Sequence, residues 1–444
     1  MKSDFLWVVL VISIATIISV TTFNPDVAAD FQALWVAGEF YQAGAFDQIY
    51  PPDTEYFTSK PSPEWIAHIA AQGQTTPVYS YIYPPIWAAL FAKLTTLTTF
   101  HTLSTIAGVI NPILMGGMAF LAWRFCCLAG MKGIRAPVYV ALVMIILMTT
   151  TLGTIGLFQN QVQILVSFLI LLGLERERAN APIIGGFAMG LAAAIKLYPV
   201  FFAIFWLAQG KNRAAASFII GGGAIGLLSI FISGWPLHEV FLEQIRVISN
   251  GVFLNKTNYA LETSIANVFF QEQLVFSTSA ASELDADALN GIQIGQLAMA
   301  KPAIWMILSQ LVILLSAITL ALVAYKTRDR NPLALWPFAL TLVSLMSPLA
   351  WGYHFLPAAS FAPAILAFLG FRVGLRTLAI CFIPLAMGLL PTYEGLSNSM
   401  NVPQLVGFSC LATYCAVWAY LLAKDRHPVA LTQKASAKDS AIPA

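Results

Sequence analysis

Charge is what this sequence has least of. Of 444 residues, 23 are Lys or Arg and 21 are Asp or Glu, 10% together, against 58% hydrophobic residues. A soluble domain carries about a quarter of its residues charged, so a soluble enzyme of this size is excluded. The mean hydropathy of +0.76 says that the surface lacking charge faces lipid, as in a polytopic membrane protein. The net charge of +2 is small, and no Lys/Arg-rich run with interleaved aromatics occurs, which excludes nucleic acid as a partner. Cysteine is also scarce. Cys126, Cys127, Cys381, Cys410 and Cys415 fall in or beside apolar segments without CxxC or Cys/His spacing, so they read as helix packing rather than a disulfide framework or metal site. Lys2 is the one basic residue before the apolar stretch Phe5 to Thr22, and no small-x-small cleavage site follows it. It is expected to be a first spanning helix and not a removed signal.

Long hydrophobic runs are abundant, by contrast. They recur at 5–22, 103–123, 136–156, 160–174, 182–208, 213–233, 302–324, 333–350, 354–370, 375–391 and 403–422, each near the ~20 residues that cross a ~30 Å hydrocarbon core. The 182–208 run is too long for one span and contains Lys196 and Pro199, which predicts two shorter helices meeting at Lys196-Leu197-Tyr198-Pro199. The expected architecture is all-α, a polytopic bundle of about twelve spans. It forms a single transmembrane domain over 1–423, followed by a disordered tail over 424–444 rich in Ala, Ser and Lys.

Basic residues collect on the cytoplasmic side of membrane proteins. One set of connections, with Lys2 and the tail, holds 17 basic and 6 acidic residues, whereas the other, made of 23–102, 234–301 and the Glu394 turn, holds 5 basic and 15 acidic, with Lys196 unassigned. This predicts cytoplasmic termini and two large extracytoplasmic loops, 23–102 and 234–301, in the inner membrane of a cell. It requires the short segment from Tyr83-Pro84-Pro85 to Thr99, which carries Lys93, to lie on the surface or half-inserted; a full crossing there gives the competing topology. The first loop begins with an amphipathic stretch, Ala33, Leu34, Ala37, Phe40 and Tyr41, ending near Gly44, and is rich in Trp and Tyr, as an interfacial juxtamembrane helix would be.

Polar groups at an apolar boundary need a partner or a task. Five positions stand out: Asp30 just past the first helix; Gln159-Asn160-Gln161 with Gln163 at a turn; Lys196 at a helix break; Asn255 to Asn267, which includes Asn258; and His354 in Ser347-Pro348-Leu349-Ala350-Trp351-Gly352-Tyr353-His354. In the expected topology all five reach one face from separate helices, so a site can be built there. Each also has an ordinary reading: Asp30 as a helix N-cap, Lys196 as a snorkelling lysine, His354 as a packed histidine, the Gln/Asn turn as satisfying loose backbone ends.

At these residues the chain resembles glycosyltransferase family 87, the polyprenol-phosphate-dependent mannosyltransferase-like enzymes of the GT-C superfamily. The family's Asp-Phe followed by an aromatic, glycine and Ile/Leu-Tyr is matched by Asp30-Phe31, Trp35, Gly38, Gly44 and Ile49-Tyr50, and its Tyr-Pro-Pro by Tyr83-Pro84-Pro85. Its Gly-Gln-Val-Asn turn is similar to Asn160-Gln161-Val162-Gln163, which keeps the glutamine and changes both ends. Its Ile-Lys-x-x-Pro is matched by Ile195-Lys196-Leu197-Tyr198-Pro199, and its Ser-Pro-x-x-Trp-x-His-His by Ser347 to His354 with Tyr353 in place of one histidine.

The resemblance implies transfer of a hexose, expected to be mannose, from a polyprenyl-phosphate donor to a lipid-linked or glycan acceptor at the extracytoplasmic face. It implies inversion, with Asp30 as the single carboxylate base. A departing polyprenyl phosphate is a stable anion that needs cations and donors more than an acid, which assigns Lys196, His354 and Gln161 to it. Tyr83, Asn160, Tyr198, Asn258 and Trp351 are expected to contact substrate. No cofactor is implied, and no His/Asp/Glu cluster has metal-ligand spacing. The rival class is a transporter or flippase built on a broken helix with membrane-embedded ionisable residues. A carrier usually repeats its broken helix, and the second half has no counterpart of the Lys196 break. A third possibility is a scaffold subunit that keeps the fold and has lost turnover.

Overall fold

The computed structural model describes residues 2–51, 56–73, 78–278, 295–387 and 401–424. The tail beyond Lys424, the 388–391 end of one expected span and the Glu394 turn lie outside the described residues.

The chain is overwhelmingly helical. It runs through α1 (Lys2–Thr22), α2 (Ala29–Gln42), α3 (Pro63–Ala71), α4 (Pro85–Leu97), α5 (Phe100–Leu128), α6 (Ala136–Thr149), α7 (Thr151–Phe158), α8 (Gln163–Arg178), α9 (Pro182–Ile195), α10 (Val200–Ala208) and α11 (Asn212–Ser233). The second large loop then supplies α12 (Trp235–Asn250), β1 (Gly251–Leu254), α13 (Leu261–Phe269), β2 (Val275–Thr278) and β3 (Gly295–Ala300). The remainder is α14 (Ala303–Lys326), α15 (Leu335–Met346), α16 (Leu356–Ala359), α17 (Ala364–Leu369), α18 (Phe371–Met387) and α19 (Asn401–Ala423).

α1, α5, α11, α14 and α19 are long and apolar enough to cross a membrane, and α6 with α7 makes a sixth if the bent pair counts as one. The all-α membrane architecture stands, while five or six full-length spans among the described residues fall short of the expected twelve. The shortfall has identifiable causes. The 136–156 run bends by 71° between α6 and α7, at Thr150, whose backbone is extended. The hydroxyls of Thr149 and Thr150 donate to the carbonyls of Ile145 and Ile146, both at 2.7 Å, a local bond that competes with helix continuation. Gly153 then lets α7 fold back, since a Cβ there would lie 2.1 Å from the Leu147 carbonyl oxygen. The 354–370 run is broken by Pro357 and Pro363 into the short α16, wholly buried, and α17, buried from Ala364 to Phe368; it is apolar because it is core. The 182–208 run does split, into α9 and α10, with Lys196 in extended backbone between them.

One feature of the second loop is absent from the sequence reading. β3 pairs with both β1 and β2, all antiparallel, in the order β1-β3-β2, with Gly251 opposite Ala300 and Val275 opposite Ala298. The chain between these strands carries no alternating apolar pattern long enough to announce them. The sheet matters because the residues just after β1 form part of the cavity wall described below.

α4 has 13 residues, about 20 Å of helix, too short to cross a ~30 Å core alone. It packs instead along α2, whose buried face includes Phe31, Leu34, Trp35 and Gly38. The two backbones touch at Gly38, where a Cβ would meet the Phe91 carbonyl carbon at 2.7 Å and the Ala92 nitrogen at 2.8 Å. At the far end of α8 from Gln163, the fully buried Glu175 carboxylate is held by Arg124 at 2.8 Å and by Arg176 at 2.5 Å, and Lys211 pairs with Glu177 at 2.5 Å. Charge is therefore paired at one end of the bundle while the other end holds the cavity. Because Gly38 is fixed between two backbones and not against a flexible side chain, Gly38→Val is expected to cost about 1–3 kcal/mol, read as a lower midpoint of thermal unfolding in detergent micelles.

Candidate active site

A cavity of about 380 Å³ opens where α2 begins, α7 and α9 end, and the 347–354 segment turns. Asp30 is the second residue of α2 and lines this cavity. It is not a helix cap: Ala28 occupies that position and no side chain caps the helix. Asp30 is held from the Gln159–Gln163 turn instead. Its Oδ2 accepts a 2.8 Å bond from Gln161 Nε2, and its backbone N–H donates to Gln159 Oε1 at 3.2 Å.

The turn folds this way because Asn160 takes a left-handed backbone, φ +46°, which asparagine tolerates better than most residues. That geometry sends the Asn160 side chain away from the cavity into α5. There Nδ2 donates to Ser104 O at 3.0 Å and Oγ at 2.9 Å, and Oδ1 accepts from Asn111 Nδ2 at 3.1 Å. Gln161 points the other way, its Oε1 accepting from the Tyr83 hydroxyl at 2.8 Å and from the Gln163 N–H at 3.3 Å. Gln163, the fully buried first residue of α8, donates to the Tyr198 hydroxyl at 2.7 Å and to Ser167 Oγ at 3.2 Å.

Lys196 enters from the break between α9 and α10. Pro199 cannot continue a helix from α9, so the chain is extended at Lys196 and the side chain turns into the cavity. Its Nζ lies 3.4 Å from His354 Nε2, and 5.6 Å and 5.2 Å from the ring centres of Tyr83 and Tyr353. The two aromatic faces are within cation–π reach. His354 sits in a short 3₁₀ turn, Gly352–Phe355, with its carbonyl accepting from Ser344 Oγ at 3.2 Å. Trp351 also lines the cavity, stacked on Tyr353 with ring centres 6.4 Å apart.

Of the substrate-binding and catalytic residues expected from sequence, Asp30, Tyr83, Gln161, Lys196, Tyr198, Trp351 and His354 share this cavity. Asn160 and Asn258 do not line it. Asn258 is fully buried and donates to Phe253 O at 2.7 Å and Thr263 Oγ1 at 3.1 Å, while its Oδ1 accepts from the Ala350 N–H at 2.9 Å. Both asparagines spend their side-chain hydrogen bonds on the protein around the site instead. The sequence reading did not assign Gln159, Tyr79, Tyr353 or Lys256 to the site, yet all four are on the wall. Gln159 and Tyr353 stand inside the very motifs that were read. Tyr79 belongs to the first loop, whose Trp and Tyr content reads as interfacial, and Lys256 lies beside Asn255 and Thr257, which also line the cavity. Among the described residues no group of three or more His, Cys, Asp or Glu side chains could hold a metal ion.

Asp30 keeps part of its surface open to the cavity but lies deep below the protein's outer contour. Loss of water pushes its carboxyl up from the usual 3.8 to about 6, with the Lys196 charge and the Gln161 hydrogen bond pulling it back part of the way. A carboxylate so placed can hold or release a proton near neutral pH.

A helical membrane protein with a carboxylate, an ammonium and an imidazole on one cavity wall has the parts of a membrane-embedded group-transfer enzyme. The model of glycosyltransferase family 87 matches residues 81–350, more than half of the chain, and the chain belongs to that family. It is a membrane glycosyltransferase by family. No curated protein matches the chain. The matched span holds Tyr83, Gln161, Lys196 and Tyr198, while Asp30, Trp351 and His354 lie outside it and join it through the contacts above.

The Asp30 shift has a consequence for stability. Its folded pKa of about 6 is above the unfolded 3.8, so the folded state binds the proton more tightly. That contribution is complete below about pH 4 and is lost as pH rises through about 6. The Asp30→Asn variant is expected to lack this component, so its unfolding midpoint in detergent falls less than the parent's between pH 4 and pH 6. Identical slopes for the two proteins would show that Asp30 titrates at its ordinary value.

Proposed function

We propose that the protein transfers a hexose, expected to be mannose, from a polyprenyl phosphate to a hydroxyl of a lipid-linked or glycan acceptor, with inversion, at the extracytoplasmic face of the inner membrane. The observation that carries this reading is that the Asp30 carboxylate and the Lys196 ammonium line one cavity at one end of the bundle. The excess of basic residues on the connections at the opposite side supports an extracytoplasmic opening with both termini in the cytoplasm. The shorter apolar helices α4, α9 and α15 supply the remaining crossings or re-entrant pieces of a GT-C-like bundle.

In this reading the acceptor O–H donates to Asp30 while its oxygen attacks the anomeric carbon from the face opposite the phosphate. The bond between that carbon and the phosphate oxygen breaks, and the electron pair leaves on the phosphate. Asp30 keeps the acceptor's proton. Base catalysis of this kind contributes about 10²–10⁴ in rate. The phosphate, already a stable anion, needs a cation more than a proton, and Lys196 beside His354 supplies fixed positive charge and a donor. Tyr83 and Trp351 offer aromatic faces and Tyr198 a hydroxyl to the sugars.

The test is transfer by the purified protein in detergent or liposomes from a radiolabelled polyprenyl-phosphate hexose. Asp30→Asn keeps the volume and is expected to lower kcat by about 10²–10⁴ at unchanged expression; retained turnover removes Asp30 from the chemistry. Lys196→Ala is expected to raise the donor KM about tenfold to a hundredfold, the worth of a charged hydrogen bond, and an unchanged KM removes Lys196 from the phosphate site. In the parent, kcat is expected to rise with pH through about 6, the Asp30 midpoint, as the base loses its proton.

A further inference from the structure

Gln161 has a fixed orientation. Its Oε1 faces two donors, the Tyr83 hydroxyl at 2.8 Å and the Gln163 backbone N–H at 3.3 Å. A backbone N–H can only donate, so the amide oxygen must be on that side. The Nε2 end is then forced toward Asp30, where it donates to Oδ2 at 2.8 Å. The amide cannot turn over without setting its NH₂ against the Gln163 N–H and its oxygen against a carboxylate. Tyr83 is fixed in turn: against an acceptor oxygen its hydroxyl must donate. Its ring is buried, and Pro84 directly after it restricts the Tyr83 backbone. A one-way chain results, from the Tyr83 O–H to the Gln161 amide to one oxygen of Asp30.

We infer that Tyr83 and Gln161 are positioning residues for the Asp30 base, a task the sequence reading did not give them, since it set Gln161 on the donor phosphate and Tyr83 on substrate. The chain holds Oδ2 with a donated hydrogen bond and so leaves Oδ1 for the acceptor hydroxyl. It also favours the ionised carboxylate, because a bond donated to the charged form stabilises that form. That matters at a site where loss of water works against the charge. The groups that face Asp30 from neighbouring elements are Lys196 at the α9–α10 break, Tyr79 and Tyr83 before α4, and Tyr353 after α15. Lys196 supplies charge without direction; the Gln161 amide supplies direction. Gln159 adds a bond to the Asp30 backbone, so a single turn fixes both the main chain and the side chain of the base.

The catalytic meaning of this chain rests on the reading of Asp30 as the base, so the experiment has an arm independent of turnover. The protonated-carboxyl infrared band of Asp30 is titrated in the purified protein in detergent, with Asp30→Asn as the assigning blank. Gln161→Leu is expected to raise the midpoint by about one pH unit, the worth of one hydrogen bond to the charged form, and Tyr83→Phe by less, because the amide stays, held by the Gln163 N–H alone instead of by two donors. The double variant is expected to match Gln161→Leu alone, since both act through one chain. An unchanged midpoint in Gln161→Leu, or additive shifts in the double variant, overturns the inference. In the transfer assay Gln161→Leu is expected to lower kcat about tenfold to a hundredfold, move its acidic limb by the same amount as the infrared midpoint, and leave the donor KM within about threefold. A raised donor KM with an unmoved acidic limb places Gln161 on the phosphate instead. Failure of transfer in every protein, with the infrared shifts present, refutes the proposed function and leaves the chain standing.

Discussion

The site depends on compensating a carboxylate and an ammonium that both sit away from bulk water. Either charge alone at the boundary of a hydrocarbon core is expensive, and removal of one partner from such a pair costs more than the pair contributes. The protein brings the two together from elements far apart in sequence, the start of α2 and the end of α9, by interrupting regular structure at both. It then uses the Gln159–Gln163 turn, a third interruption, to hold the carboxylate. Asp30, Lys196 and the Gln159–Gln163 turn therefore all come from places where a helix starts, ends or breaks. Lipid-exposed backbone must be satisfied within its own helix, so irregular chain at membrane depth is tolerated only where protein or a polar cavity surrounds it, and the cavity exists where those irregularities meet.

Much of this was legible because breaks leave marks in sequence. Pro199 after Lys196 announced the α9–α10 break, Asp30 after an apolar run announced the start of α2, and a glutamine-rich tetrad announced the turn. The pairing of these marks was legible only through their common side in the topology. What could not be read was direction. Asn160 and Gln161 are neighbours of like chemistry, yet the left-handed backbone at Asn160 sends one into α5 and the other into the cavity. Asn258 reads as a site residue because it is polar and sits near other polar residues, but a fully buried amide with three fixed partners is a structural tie. The full-length helices among the described residues number fewer than the apolar runs for a related reason: hydrophobicity measures removal from water, and the 354–370 run is as apolar as a lipid-facing helix while its two short helices are core.

A carrier reading of the same residues meets a geometric objection. A solute carrier needs a site that can be exposed alternately to two sides, usually between repeat-related broken helices near the midplane. Here the ionisable pair lines a cavity near the start of α8, and the far end of α8 carries the ion pairs of Glu175 with Arg124 and Arg176 and of Glu177 with Lys211. Opening a path through that end would break several ion pairs around a carboxylate with no exposure of its own. Chemistry at one face asks for none of this.

The Lys196–His354 contact also bears on which proton transfers the proposed reaction can use. An ammonium has donors and no acceptor, so in the 3.4 Å contact Lys196 can only donate and the imidazole Nε2 takes the accepting role. A histidine so placed cannot hand a proton to a leaving group through Nε2. It can only help orient the ammonium, which the Tyr83 and Tyr353 faces also hold. The leaving phosphate in the proposed reaction then departs as an anion toward fixed positive charge, and the only proton that moves is the one taken by Asp30. Tyr353, which replaces a histidine of the family pattern, fits the same economy: an aromatic face beside Lys196 stabilises the cation without adding another imidazole, so the acidic limb of the pH dependence belongs to the base and whatever holds it.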